Sequence, residues 1–140
     1  MKKFVFMFLL FLLVAFFVGC SKEYPVDDSD KVVIYYFVGP GCPSCDVQSD
    51  FFIEFSSRLG EDVEVKRFDI SVSEHKSLLD RLAAAYDERI VTAPVTFVGD
   101  EAIVGFNNAE TTGLLIESIV RRCLSQQCMN PSDVLRDKGY

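Results

Sequence analysis

Residues 39–52 read GPGCPSCDVQSDFF, and they sit where one sequence pattern gives way to another. Upstream, KVVIYYFVG is a nearly unbroken β-branched and aromatic run, the pattern of a strand covered on both faces by helices. Gly39-Pro40-Gly41 breaks that run. Beyond it Val47, Phe51, Phe55 and Leu59 recur every fourth residue, with Phe52 widening the stripe, until Gly60 offers a stop. A buried strand followed by a core-facing helix is therefore expected, with Cys42 and Cys45 at the junction. If Cys42 is the N-cap, Pro43 takes the first helical position, where its missing N–H costs nothing and its fixed φ suits the helix.

Working outward, DVEVKRFDIS alternates Val63, Val65, Phe68 and Ile70 and reads as a second strand. SEHKSLLDRLAAAY places Leu78, Leu82 and Tyr86 on one helical face beside Leu79 and Ala83, with Ser73 as the expected cap. APVTFVGDEAIVGF holds two short strands joined by Gly99-Asp100, a dipeptide suited to a tight antiparallel hairpin. From Glu110 onward Leu115, Ile116, Ile119, Val120, Cys123 and Leu124 mark a last amphipathic helix, and NPSDVLRDKGY reads as a polar tail. The order β-α-β-α-β-β-α implies an α/β fold: a four-stranded mixed sheet with helices on both faces. No internal repeat is present, and the length suits one domain.

The N-terminus carries a separate message. Lys2 and Lys3 precede fifteen uncharged residues, Phe4 to Val18, which reads as an export signal over residues 1–19. As a helix that run would extend about 22 Å, short of the roughly 30 Å of hydrocarbon a spanning helix crosses. Its end, Val18-Gly19-Cys20, resembles the lipobox of bacterial lipoproteins, with Phe17 in place of the usual Leu. That resemblance implies lipidation of Cys20; an ordinary cleaved signal is the alternative. Residues 20–30, with Pro25 and four acids, read as a tether, so an extracytoplasmic, membrane-anchored domain is expected. Without Lys2 and Lys3, 12 of the 14 basic side chains remain against 21 acidic ones, a formal charge of −9. Such a surface is ill suited to nucleic acid.

At a helix N-terminus, unpaired N–H groups and the positive end of the helix dipole favour a thiolate, which makes Cys42 the expected nucleophile. Cys45, one turn on, is near enough to bond with it, so the pair can close and reopen, with Cys45 resolving mixed disulfides. Two blander readings compete. A four-sulfur metal site with Cys123 and Cys128 would place Cys45 inside a helix and use a loosely spaced second pair. A structural Cys42–Cys45 bridge would close too small a loop to constrain the unfolded chain much. Cys123 and Cys128 make better candidates for a staple, since one lies on an apolar helix face, the other follows the helix end, and the compartment is oxidising. His75, the sole histidine, is expected at the surface.

From Lys31 to Leu124 the chain resembles the thioredoxin-like superfamily. The resemblance rests on Cys42-Pro43-Ser44-Cys45 after a buried strand and on Thr92-Ala93-Pro94 opening the late hairpin. The hairpin segment and Gly41-Cys42-Pro43 look most like glutaredoxins and small glutaredoxin-like oxidoreductases. The resemblance implies a thioredoxin-like domain over 31–128 before the tail, 129–140. It also implies a cis Ala93–Pro94 bond facing the cysteines, and substrate contacts through Pro43, Ser44, Ala93 and Pro94. The expected activity is thiol–disulfide exchange, with no cofactor beyond the redox-active disulfide and no metal. Expected partners are exported proteins with thiols or disulfides and a membrane thiol or electron carrier. A non-catalytic binding or chaperone module with a permanent bridge is the alternative. Several departures narrow the inference. Tyr36 stands six residues before Cys42, where thioredoxins carry an acid, and Gly105-Phe106-Asn107-Asn108 replaces the glutathione-holding residues of glutaredoxins. The chain contains no tryptophan. A substrate groove around Pro40, Phe106 and Pro94 is a further expectation.

Overall fold

A run of seven apolar and aromatic residues needs apolar cover on both sides, and β1, Val32–Val38, is buried along its whole length. The computed structural model describes residues 31–140; the expected signal, Cys20 and the tether lie outside the described residues. Among the described residues no helix is long and apolar enough to cross a membrane.

The first helix, α1, spans Pro43–Leu59, and β2, Val63–Asp69, then pairs parallel to β1. The second helix, α2, covers Ser73–Ala85. Next β3, Val95–Val98, and β4, Glu101–Val104, form the hairpin, with β3 antiparallel to β1. The third helix, α3, covers Leu114–Gln126, and α4 covers Pro131–Lys138. The sheet runs β2-β1-β3-β4. Because strand side chains alternate, β1 feeds two cores. Ile34, Tyr36 and Val38 join Phe51, Phe52 and Phe55 of α1 and Ile116 and Val120 of α3. On the opposite face, Val33, Tyr35 and Phe37 join Leu78, Leu79 and Leu82 of α2 and Leu135 of α4.

Four local expectations are corrected. The buried face of α1 runs through Cys45, Gln48, Phe51, Phe52 and Phe55, so the expected phenylalanines are buried while Val47 is 48% exposed and Gln48 takes the inward position. Val72, not Ser73, is the N-cap of α2, and the Ser73 hydroxyl donates to Glu74 instead. Ahead of α3 the chain makes a π-helical turn, Ala109–Gly113, in which Gly113 N–H donates to Asn108 O at 3.0 Å. Gly113 lies so close to the Phe51 ring that a Cβ there would sit 2.8 Å from it, so the wider turn accompanies close contact of the two helices. Leu115 and Leu124 stay exposed on the outer face of α3.

The fourth correction concerns residues 129–140, which are not a polar tail. Asn130 caps α4 in a capping box with Asp133, and Pro131 fills its first turn. The buried Asn130 side chain also reaches β1: Oδ1 accepts from Val33 N–H at 2.9 Å and Nδ2 donates to Lys31 O at 3.1 Å. Leu135, 1% exposed, completes the second core. The domain therefore runs on through Lys138.

Candidate active site

The carboxyl end of β1 delivers the chain to a helix start through Gly39, Pro40 and Gly41. Gly41 has φ +62°, a left-handed conformation that glycine adopts without strain. Cys42 is the N-cap of α1 in extended conformation, and Pro43 fills the first turn. The Cys42 carbonyl accepts from Cys45 N–H at 3.0 Å, and its Sγ accepts from the same N–H at 3.2 Å. The first turn of the helix thus aims a donor at that sulfur. Cys42 and Cys45 are joined in a disulfide with Cα atoms 5.2 Å apart. Cys45 is 3% exposed, whereas Cys42 is half-buried and Pro43, Ser44 and Asp46 are exposed. An incoming group therefore meets Cys42 first.

Two other segments border the loop. The Ala93–Pro94 bond is cis. A Cβ on Gly39 would lie 3.6 Å from Ala93 Cβ and 3.3 Å from Ile70 Cδ1, so both pack against the approach to Cys42. Ala93 is half-buried, with its carbonyl accepting from Thr92 Oγ1 at 3.1 Å. Pro94 is buried, and its carbonyl accepts from Gly105 N–H at 2.7 Å. At the end of β2, the Ser71 hydroxyl and N–H both donate to the Asp69 carboxylate and hold it below the usual carboxylate range. His75 is half-buried, with Nδ1 against the Asp69 backbone, 3.2 Å from its nitrogen and 3.0 Å from its carbonyl oxygen, and its ring edge against Phe68, a local latch rather than a freely exposed side chain.

No protein-family model and no curated protein matches the sequence. Among solved structures, the chain is similar to thioredoxin O1 from Arabidopsis thaliana in its oxidised state, at 21% identity over 67% of this chain and 82% of that one, with a TM-score of 0.50. A thioredoxin from Halobacterium salinarum, a single-site mutant, shows 28% identity over 66% of this chain and 78% of that one, with a TM-score of 0.45. A glutaredoxin from Archaeoglobus fulgidus shows 24% identity over 69% of this chain and 98% of that one, with a TM-score of 0.40. The sheet order and the first of these likenesses decide the architecture.

The fold is thioredoxin-like. Within this thioredoxin-like fold the Cys-Pro-Ser-Cys segment starts α1 and the cis Ala93–Pro94 bond opens β3, as the resemblance implied. Cys123 and Cys128 form the second disulfide, with Cα atoms 4.8 Å apart. That bridge packs against Gly99, at the hairpin turn, where a Cβ would meet Cys123 Sγ at 2.7 Å. In the antiparallel register Val98 faces Ile34 near the start of β1, whereas Cys42 follows its end. The two cysteine pairs therefore occupy opposite ends of the sheet and do not converge on one site. Phe106 is buried against Phe51 at 5.4 Å between ring centroids, so it belongs to the core and the expected groove through it is not formed.

Sequence reading overlooked Gln48. It is fully buried, and its Nε2 donates to Thr96 Oγ1 across the α1–sheet interface. The available signal was a long polar residue three positions after Cys45, on the same helical face.

Proposed function

We propose that this protein is a thiol–disulfide oxidoreductase, anchored through Cys20 on the outer side of a membrane, with Cys42 as nucleophile and Cys45 as resolving thiol. The observation that carries the reading is the asymmetry of one disulfide. Its reachable member caps a helix and receives an N–H at sulfur, while its other member is buried one turn on. In the reduced protein that donor and the helix dipole favour a thiolate on Cys42. The thiolate attacks a client disulfide, one client sulfur leaves as thiolate, and a mixed disulfide forms. Cys45 then attacks Cys42 Sγ, releasing the second client thiolate and closing the pair. Two electrons pass to the client and the Cys42–Cys45 dithiol becomes a disulfide, so no cofactor is needed. The reverse sequence oxidises a client dithiol. Exposed Pro43 and Ser44 border the incoming client, and the Ala93 backbone pairs with an extended client segment beside buried Pro94. Clients are exported proteins with thiols or disulfides, and a membrane thiol carrier exchanges electrons with the resting pair.

Reduction of insulin by dithiothreitol provides the test. The native protein should accelerate it, and Cys42→Ser should abolish the acceleration while leaving the fold intact. Equal activity in Cys42→Ser would overturn the assignment. Cys45→Ala should accumulate mixed disulfides with clients, and Cys20→Ser should release the protein from the membrane fraction.

A further inference from the structure

Four polar residues are buried among the described residues: Gln48, Thr96, Asn130 and Ser132. Asn130 and Ser132 belong to the start of α4, beside the beginning of β1. Gln48 and Thr96 meet under the helix that carries the cysteines, Gln48 Nε2 donating to Thr96 Oγ1 at 2.5 Å. Gln48 Oε1 is buried with no partner among the described residues. In the disulfide form the described residues thus hold a buried acceptor for which they supply no donor, and such groups are rare because desolvation is uncompensated.

Opening the disulfide creates a donor nearby. Gln48 follows Cys45 by three residues, so the two are neighbours on one face, and both are buried on the sheet side of α1. Helical side chains lean toward the N-terminus, so the Gln48 side chain covers the turn that holds Cys45. Thr96, its other partner, pairs with Tyr36 of β1, which packs in the same core layer as Cys45. No carboxylate, lysine or histidine is buried there among the described residues.

We propose that Gln48 is a positioning residue for Cys45: in the reduced protein its Oε1 accepts a hydrogen bond from the Cys45 S–H and so favours the dithiol over the disulfide. The inference rests on the oxidoreductase reading above and extends it. When a client thiolate attacks Cys42 Sγ, the Cys42–Cys45 bond breaks and its electron pair leaves on Cys45, which takes a proton from solvent. A second client thiolate then attacks the client sulfur of the mixed disulfide and expels the Cys42 thiolate. The client dithiol has lost two electrons and the pair has gained them. Gln48 moves no proton; it binds the protonated form of Cys45. In the opposite direction Cys45 gives up that proton to solvent before attacking, so the same bond slows resolution.

Gln48→Met keeps the length of the side chain and removes the acceptor. After equilibration with glutathione, alkylation and mass measurement, the constant for reduction of Cys42–Cys45 should fall about three- to tenfold in Gln48→Met, the range expected for one modest hydrogen bond. A second readout is the infrared S–H stretch of Cys45 in full chain carrying Cys20→Ser and Cys42→Ser, where Cys123 and Cys128 remain bridged. The band should lie below the free-thiol frequency and return to it when Gln48→Met is added. An unchanged glutathione constant in folded Gln48→Met, or a free-thiol band in the chain that retains Gln48, would overturn the proposal. If Gln48→Met does not fold, the band in the Gln48 chain decides. A native pair that never exchanges with glutathione would remove the oxidoreductase reading, while the S–H band still tests the Gln48 contact by itself.

Discussion

Replacing Asn130 by alanine tests whether the C-terminal segment belongs to the fold. The side chain does three jobs: it caps α4, accepts from Val33 N–H and donates to Lys31 O. Loss of an N-cap costs about 1 kcal/mol. Val33 is fully buried, and leaving its N–H without an acceptor costs about 1–3 kcal/mol more. Lys31 is half-buried, so water can replace the donor to its carbonyl at little cost. The expected loss is therefore about 2–4 kcal/mol. In urea, with a slope of about 1.5 kcal/mol per molar, the midpoint should fall by roughly 2 M while the slope stays constant. Asn130→Asp keeps the cap and the acceptor and loses only the donor that water can replace, so it should cost less than about 1 kcal/mol. A fall of less than about 0.5 kcal/mol in Asn130→Ala, the size of an ordinary surface substitution, would refute the clamp between α4 and β1.

Other expected outcomes follow from single contacts. Gly99→Ala needs a Cβ 2.7 Å from Cys123 Sγ at a residue with φ +58°, so it should destabilise by about 2 kcal/mol or more, measured by denaturant unfolding. Replacing Cys123 and Cys128 together by alanine should lower stability by about 2 kcal/mol on the chain-entropy estimate for so short a loop, leaving insulin reduction per folded molecule unchanged. Phe106→Ala should cost about 3–5 kcal/mol in stability through a core cavity, again with turnover per folded molecule retained. Glu117 accepts from Arg121 and lies 3.4 Å from Arg58, and these cations hold its carboxyl below the usual range despite partial burial. Because the native value is depressed, that stability is present at neutral pH and is lost as pH falls below the ordinary carboxylate range through the native value. Comparing unfolding free energies at neutral and acid pH, Glu117→Gln should show less acid loss, by about 1 kcal/mol at most for a surface ion pair.

Much of the architecture was legible because it rests on local pattern. The Val32–Val38 run reads as a doubly covered strand, and Gly99-Asp100 between two short apolar strands suits a hairpin turn. Cys42 before Pro43 located the helix start. What was lost depended on contacts distant in sequence or on small angular differences. Of the expected stripe on α1, Phe51, Phe52 and Phe55 are buried, but steps of four overshoot a helix of 3.6 residues per turn, so Val47 falls outside the buried face and Gln48 takes the inward position. The π-helical turn accompanies the Phe51–Gly113 contact, between residues far apart in the chain. In the C-terminal segment Val134 and Leu135 join the second core and Pro131 is also buried, too few apolar residues to produce a period, although Asn130-Pro131-Ser132-Asp133 carried a readable capping signal. Gln48 could not be given its partner Thr96 from sequence, because that pairing exists only once α1 lies across β3.

The central claim is that the Cys42–Cys45 bond opens and closes under mild thiol conditions while Cys123–Cys128 does not. Titrating the native protein through a series of glutathione redox buffers, with alkylation and mass measurement of each cysteine pair, tests it directly. The account predicts that Cys42–Cys45 reduces reversibly at a potential above about −300 mV, with Cys123–Cys128 still closed. A Cys42–Cys45 bridge that stays closed to below about −300 mV, as structural disulfides do, would contradict it.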